Sequence, residues 1–231
     1  MPSVIRRRPR REQKALALPQ GVHAFRRRLL GWYARHRRAL PWRGTRDPYA
    51  VLVSEFMLQQ TQVSRVMGHY PGFLRRYPTL EDLAAAPADA VRDSWAGLGY
   101  YARARHLHAA VRRVADEHAG VFPADPDVLR RLPGVGRYTA GAVASIAFGA
   151  DAAAVDTNVA RVLARVFHVR GRRGSAPRAA RLWRLAERLL PPGRAGDWNQ
   201  ALMDLGATVC TARRPRCGAC PVATVCRSRR A

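Results

Sequence analysis

The chain has 231 residues, 48% of them apolar, enough to bury a core, and no run of about 18 apolar residues that could span a membrane. Lys and Arg number 41 against 16 Asp and Glu, a formal charge of +25 that calls for a polyanionic partner. Nucleic acid leads, with the arginine-rich usage of a GC-rich genome as the bland alternative. Lys14 is the sole lysine, which excludes amine nucleophiles apart from it and the chain's N-terminus.

In chain order, residues 1–20 carry Arg6, Arg7, Arg8, Arg10, Arg11 and Lys14 among three prolines, and read as a disordered basic arm. From Val22 a stripe of Phe25, Leu29, Trp32 and Tyr33 recurs at helical spacing. Asp47-Pro48 opens the next helix, with Pro at its favoured first position, running through Val51, Glu55 and Leu58. Further helices are predicted over 62–76, 79–86, 88–96, 101–118 and 125–131, punctuated by Pro71, Pro78, Pro87, Gly97, Gly99, Gly120 and Pro123. Asp156 opens another at 157–167. No period-two alternation is sustained, so the expectation is an all-α chain of about ten short helices without internal repeats.

Three patterns carry chemistry. Glu55 sits in an otherwise apolar helix (Val51, Leu52, Val53, Phe56, Met57, Leu58), and Glu is rarely buried without a purpose or partner. Leu132 to Ala142, LPGVGRYTAGA, joins two helices through Gly134 and Gly136. Such a turn brings backbone N–H groups and a helix N-terminus towards an anion, as a helix-hairpin-helix grips a DNA phosphate without reading sequence. Asp156 follows the apolar run from Val143 to Phe148. It serves as an N-cap, and equally as the second carboxylate of a pair that cleaves a glycosidic bond.

All four cysteines lie near the end, as Cys210-x6-Cys217-x2-Cys220-x5-Cys226. Four thiolates so close select an iron–sulfur cluster, zinc or Cu(I). Zinc sites usually pair their ligands in two short knuckles, and only one pair here is two residues apart. Two disulfides are the remaining alternative, but the arginine-studded start lacks a signal peptide's apolar run, so a cytoplasmic, reducing setting is expected.

The chain resembles the MutY family of adenine DNA glycosylases, in the helix-hairpin-helix superfamily with endonuclease III. The resemblance rests on LPWR at 40–43, DPY at 47–49, SEFMLQQTQV at 54–63 and GLGYYARARHLH at 97–108. LPGVGRYTAGA at 132–142, VDTNVARVLAR at 155–165, NQALMDLGATVC at 199–210 and the cysteine spacing complete it, so that it covers 22–226. It implies a two-lobed fold: a six-helix barrel over 45–150, and a 4Fe–4S cluster lobe built from 21–44 and 151–231, with its cluster loop at 210–226. It also implies a monomer that acts on double-stranded DNA carrying a mismatched or damaged pair.

By position, the resemblance makes Glu55 the general acid and Asp156 the carboxylate that stabilises the sugar cation. Tyr138 falls where bifunctional relatives place a Schiff-base lysine, and Asn158 belongs to the same pocket wall. Trp42, Arg43 and Gln200 would surround the extruded adenine, and Gln60 and Tyr100 would enter the stack near the opposite base. Gly134, Gly136, Arg213, Arg214 and Arg216 would contact phosphates, and Cys210, Cys217, Cys220 and Cys226 would hold the cluster. Two departures stand out. Asp-Thr-Asn replaces the family's Asp-Gly-Asn at 156–158, and the chain stops five residues after Cys226, where relatives continue into a Nudix-like domain that helps to recognise 8-oxoguanine. Compact thymine or uracil mismatch glycosylases share LPWR-x-TRDPY and a Tyr at position 138, and form the runner-up. A non-catalytic DNA-binding module is the rival from another class, and would have no need of Glu55 with Asp156.

Overall fold

The structure, a computed structural model, describes residue 19 and residues 21–230; the basic arm with Lys14 lies almost wholly outside them. Twelve α-helices follow in order: α1 (Val22–His36), α2 (Pro48–Leu58), α3 (Val63–Arg76), α4 (Leu80–Ala85), α5 (Ala88–Asp93), α6 (Ala102–Glu117), α7 (Pro126–Leu129), α8 (Arg137–Ala147), α9 (Thr157–Val166), α10 (Ala176–Leu189), α11 (Ala195–Thr208) and α12 (Arg227–Arg230). Two 3₁₀ turns, Cys217–Ala219 and Ala223–Val225, precede the last. No described helix is long and apolar enough to cross a membrane.

The predicted ends were generous by a few residues. Ser94 to Ala96 close α5 in tight turns, and α7 keeps only four residues of the expected seven. Pro71 lies inside α3, within the helix predicted over 62–76. Its fixed φ is helical, and the cost is one backbone donor and local crowding.

Local signals explain the key elements. Asp47 caps α2 by accepting from the Tyr49 and Ala50 amides at 3.0 and 3.2 Å, and Pro48 supplies the first turn. Residues Tyr49 to Met57 are then all buried, so α2 is the central helix of its neighbourhood. Thr79 and Asp82 form a reciprocal capping box on α4.

The buried side chains form two clusters. One gathers Leu52, Phe56, Trp95, Leu107, Leu129 and Val143, from α2 to α8. The other joins α1 to the later helices, with Phe25 wedged edge-on between Phe167 and Trp198 at 5.4 and 5.2 Å. α8 contributes Ala142 to the second cluster and Val143 to the first.

The joint between them positions Asp156. A Cβ on Gly141 would stand 2.0 Å from the Ala153 carbonyl oxygen, and only glycine allows α8 that approach. Asn199 on α11, 2% exposed, then fastens the segment before Asp156. It donates to the Ser145 hydroxyl at 2.9 Å and the Ala152 carbonyl at 2.8 Å, and accepts from the Ala154 amide at 3.2 Å. Each such bond contributes about 0.5–1.5 kcal/mol, and an orphaned partner costs more.

Candidate active site and cysteine cavity

α2 carries Glu55 into the wall of a cleft of about 990 Å³. The side chain is 5% exposed, and Oε2 has no hydrogen-bond partner. Burial pushes the carboxyl from its ordinary 4.5 up to about 7. A hydrogen bond from Tyr138 and the charge of Arg43 pull it down, and Asp156 adds to the rise. The Tyr138 hydroxyl also faces the Met203 sulfur at 3.8 Å, but the carboxylate is the better acceptor. Burial raises the Tyr138 phenol well above its ordinary 10, so it stays a donor.

Across the cleft, Asp156 is the N-cap of α9. Its Oδ1 accepts from the Val159 amide at 2.7 Å, and its Oδ2 from Asn158 Nδ2 at 2.9 Å. A Cβ on Gly206 would lie 2.6 Å from that of Asn158, so α11 packs closely behind the pair. Trp42, Arg43, Gln60 and Gln200 line the same cleft. Trp42 is also a core aromatic, packed edge-on against Tyr70 at 5.5 Å. Arg43 donates to Gln200 Oε1, and its other nitrogen meets Asp204 Oδ1 at 2.9 Å.

Asp204 is fully buried and also binds Arg38, through its guanidinium at 2.7 Å and its amide at 3.1 Å. The sequence reading passed over it. The signal was the one that marked Glu55, a lone acid among apolar neighbours (Leu202, Met203, Leu205).

The structure separates the two hairpin glycines. Gly134 has φ +72, and a Cβ there would strike His106 at 2.6 Å and Phe56 at 2.9 Å, so glycine is required by the fold. Gly136, the N-cap of α8, has φ −84 and open space around it. Any demand for glycine at Gly136 comes from outside the protein. Gln60 and Tyr100 are two of four non-glycine residues with positive φ among those described, at 55° and 47°. Tyr100 lies outside the cleft lining and is 62% exposed. Such conformations cost about 1–3 kcal/mol each and gather at functional sites.

Cys210, Cys217, Cys220 and Cys226 are free thiols lining one cavity of about 320 Å³, walled by Val162, Val166, Leu205, Val209 and Val222. Among the described residues no three His, Cys, Asp or Glu side chains are gathered tightly enough to hold a single metal ion. Four soft sulfurs around one apolar-walled space fit an iron–sulfur cluster. Arg161 and Arg165 of α9 fasten this segment. Arg161 Nε donates to the Cys210 carbonyl at 2.8 Å, and Arg165 reaches the Thr211 carbonyl at 2.7 Å and the Cys210 sulfur at 3.4 Å. Arg161 also holds Asn158 Oδ1 at 2.6 Å, so Asp156 is tied through two side chains to the first cysteine. Arg213, Arg214 and Arg216 stand exposed in the first cysteine gap, but Arg216 Nε caps α11 at the Thr208 carbonyl, 3.1 Å.

Residues 53–188 match the HhH-GPD superfamily of base excision DNA repair proteins, and residues 210–226 the iron–sulfur binding domain of endonuclease III. The chain is 51% identical over 217 residues to the adenine DNA glycosylase of Homo sapiens, covering 90% of this chain and 40% of that protein. It is 48% identical over 196 residues to the adenine DNA glycosylase of Mycobacterium tuberculosis, covering 84% and 64%. It thus spans about two-fifths of the human relative's length. Among solved structures, a thermostable thymine-DNA glycosylase superposes with a TM-score of 0.83 at 34% identity, covering 90% of this chain and 96% of that one. A non-covalent endonuclease III–DNA complex gives 0.74 at 27%, covering 90% and 96%. The chain belongs to the HhH-GPD superfamily of base excision DNA repair proteins, and carries the superfamily's endonuclease III-type iron–sulfur segment.

Proposed function

We propose that the chain is a monofunctional DNA glycosylase that removes adenine mispaired with 8-oxoguanine or guanine. The observation that carries this reading is Glu55, a carboxyl poised near 7 in a cleft that also holds Asp156. A group that is an acid at neutral pH suits a purine, whose N7 accepts a proton; thymine offers no comparable ring nitrogen. The names of the human and mycobacterial relatives point to the same base.

The chain's own residues supply the steps. DNA would lie in the groove between the two lobes, with phosphates at the hairpin amides after Gly134 and at Arg213 and Arg214. Gln60 and Tyr100 enter the stack near the opposite base as the adenine is extruded. Trp42, Arg43 and Gln200 surround the extruded base. Glu55 donates its proton to N7, the C1′–N9 bond breaks, and its electron pair leaves with the base. Asp156 faces the sugar cation, with Asn158 fixing its orientation. Glu55, now a carboxylate, takes a proton from water as the water oxygen bonds to C1′. The four cysteines would hold a 4Fe–4S cluster, which supplies structure to the arginine-bearing loop rather than a reacting group. Tyr138 cannot form an imine, so no amine in the cleft opens the sugar and the abasic strand stays whole.

The thermostable thymine-DNA glycosylase likeness favours the second reading, thymine or uracil removal opposite guanine. Single-turnover assays on duplexes carrying A, T or U opposite guanine and 8-oxoguanine separate the two. Adenine release leaving an alkali-labile, unbroken strand is expected. Dominant thymine or uracil release would replace the reading, as would efficient borohydride trapping that survives Lys14→Arg and a blocked N-terminus.

A further inference from the structure

Arg103 sits at the second position of α6, where a cation opposes the helix dipole, and it is only 7% exposed. Neither circumstance suits an arginine unless something else demands it. Its guanidinium has no carboxylate partner among the described residues. Instead it donates to five backbone carbonyls in two separate segments, the end of α2 with the turn after it and the turn before Tyr100. One terminal nitrogen reaches Phe56 and Met57 at 3.0 and 2.9 Å, and Gln59 as well. The other reaches Leu98 and Gly99, both at 3.0 Å. The first three carbonyls lie at the C-terminal end of α2, where helix acceptors have no partner within the helix. The last two belong to the turn that leads into Tyr100. The guanidinium also lies over the Trp95 and Tyr100 rings, at 5.6 and 5.5 Å.

Both bound loops are strained beside the contact. Gln60 and Tyr100 hold positive φ, as do Gly97 and Gly99. Glycine takes up such φ freely, but Gln60 and Tyr100 hold it at a cost and persist there only where the surroundings over-determine them. One guanidinium bridges the two loops and has hydrogen bonds directed at both.

We propose that Arg103 is a positioning residue that sets the spacing of the Gln60 and Tyr100 tips, so that the two enter the DNA stack as one unit. A planar fork can satisfy both loops at once, and a lysine's single ammonium cannot span them in the same way. The proposal rests on the reading of Gln60 and Tyr100 as stack-entering residues, and its test separates the two.

The probe is a duplex with 2-aminopurine beside a 2′-fluoroadenosine target opposite 8-oxoguanine. The fluorine destabilises the sugar cation and blocks cleavage, so fluorescence reports unstacking alone. Arg103→Lys and Arg103→Gln are measured alone and combined with Tyr100→Ala and Gln60→Ala. Arg103→Lys is expected to slow unstacking on the order of tenfold while the pH profile of excision on ordinary adenine stays in place. In the Tyr100→Ala, Gln60→Ala background the same change should add less than about twofold, because its route of action is gone. Losses that multiply instead would overturn the proposal, and so would loss of fold in both Arg103 variants, since the residue would then hold the helices rather than the tips. If Tyr100→Ala and Gln60→Ala alone leave unstacking unchanged, the reading of the tips has failed and the proposal falls with it.

Discussion

Two buried carboxyl groups, one on α2 and one on α11, receive opposite treatment. Glu55 on α2 is surrounded by apolar side chains, keeps one oxygen without a partner, and is pushed up to about 7. Asp204 on α11 is buried even more completely, yet it meets the guanidinium groups of Arg38 and Arg43 and a backbone amide. Burial alone therefore does not decide what an acid does. A carboxyl without a cation bound to it is free to take and give its proton near neutral pH; one gripped by two guanidinium groups becomes framework. Arg43 connects the two regions, because the guanidinium that satisfies Asp204 also lowers the Glu55 carboxyl.

The sharpest way to break the contrast is to remove the reagent. Glu55→Gln keeps the shape and loses the proton, and excision should fall about 10²- to 10⁴-fold in single-turnover assays while DNA affinity stays within several-fold. Activity within tenfold of the parent would place the acid elsewhere. Removing the framework acid should act on the fold first. Asp204→Ala leaves two part-buried cations without their buried counter-ion, a loss of up to about 3–5 kcal/mol, which corresponds to roughly 10 °C in melting temperature for a chain of this size. Protein that does fold should show the basic limb of its pH–rate profile moved towards acid, since Arg43 then acts on Glu55 without its counter-ion. An unchanged melting temperature would deny Asp204 its structural role.

The same contrast predicts a gain. A carboxyl raised from 4.5 to about 7 binds its proton more tightly folded than unfolded. Its contribution to stability is therefore complete below pH 4.5 and is lost as pH rises through about 7. Glu55→Gln removes that loss, and should stabilise the protein by up to about 3 kcal/mol above pH 7, with the difference shrinking towards pH 4.5. Melting curves across that range check it. A penalty that is flat with pH would mean that Glu55 does not titrate as its burial implies.

The sequence made half of this contrast legible. An acid within an apolar helix identified Glu55, and the same pattern around Asp204 was available but lay inside a motif taken as a whole. What no periodicity could supply was the partner: Arg43 is 161 positions from Asp204, and their meeting depends on how α11 packs. Helices, caps and the hairpin follow from local chemistry, and so were read within a few residues. Arg103, Arg161 and Arg165 were unreadable for the same reason as Arg43, since 40 arginines look alike until the fold shows which carbonyls they bind. Gly134 and Gly136 looked equivalent in sequence, and only the contacts of a hypothetical Cβ separate them.

The smallest effect concerns the one donor that keeps Glu55 from being wholly unpartnered. Tyr138 hydrogen-bonds to the carboxyl and, in favouring its ionised form, holds its titration below where burial alone would put it. Tyr138→Phe removes the hydroxyl, leaves the ring, and brings no charge into the cleft. The Glu55 carboxyl should then rise further above 7, moving the basic limb of the excision profile to higher pH. Below that limb the acid is protonated in both proteins, so the rates should differ by less than about tenfold, within what a single hydrogen bond contributes. The direction of the movement decides the matter. A limb that stays in place would mean that Tyr138 donates to Met203 instead, and that Glu55 owes its poise to burial and charge alone.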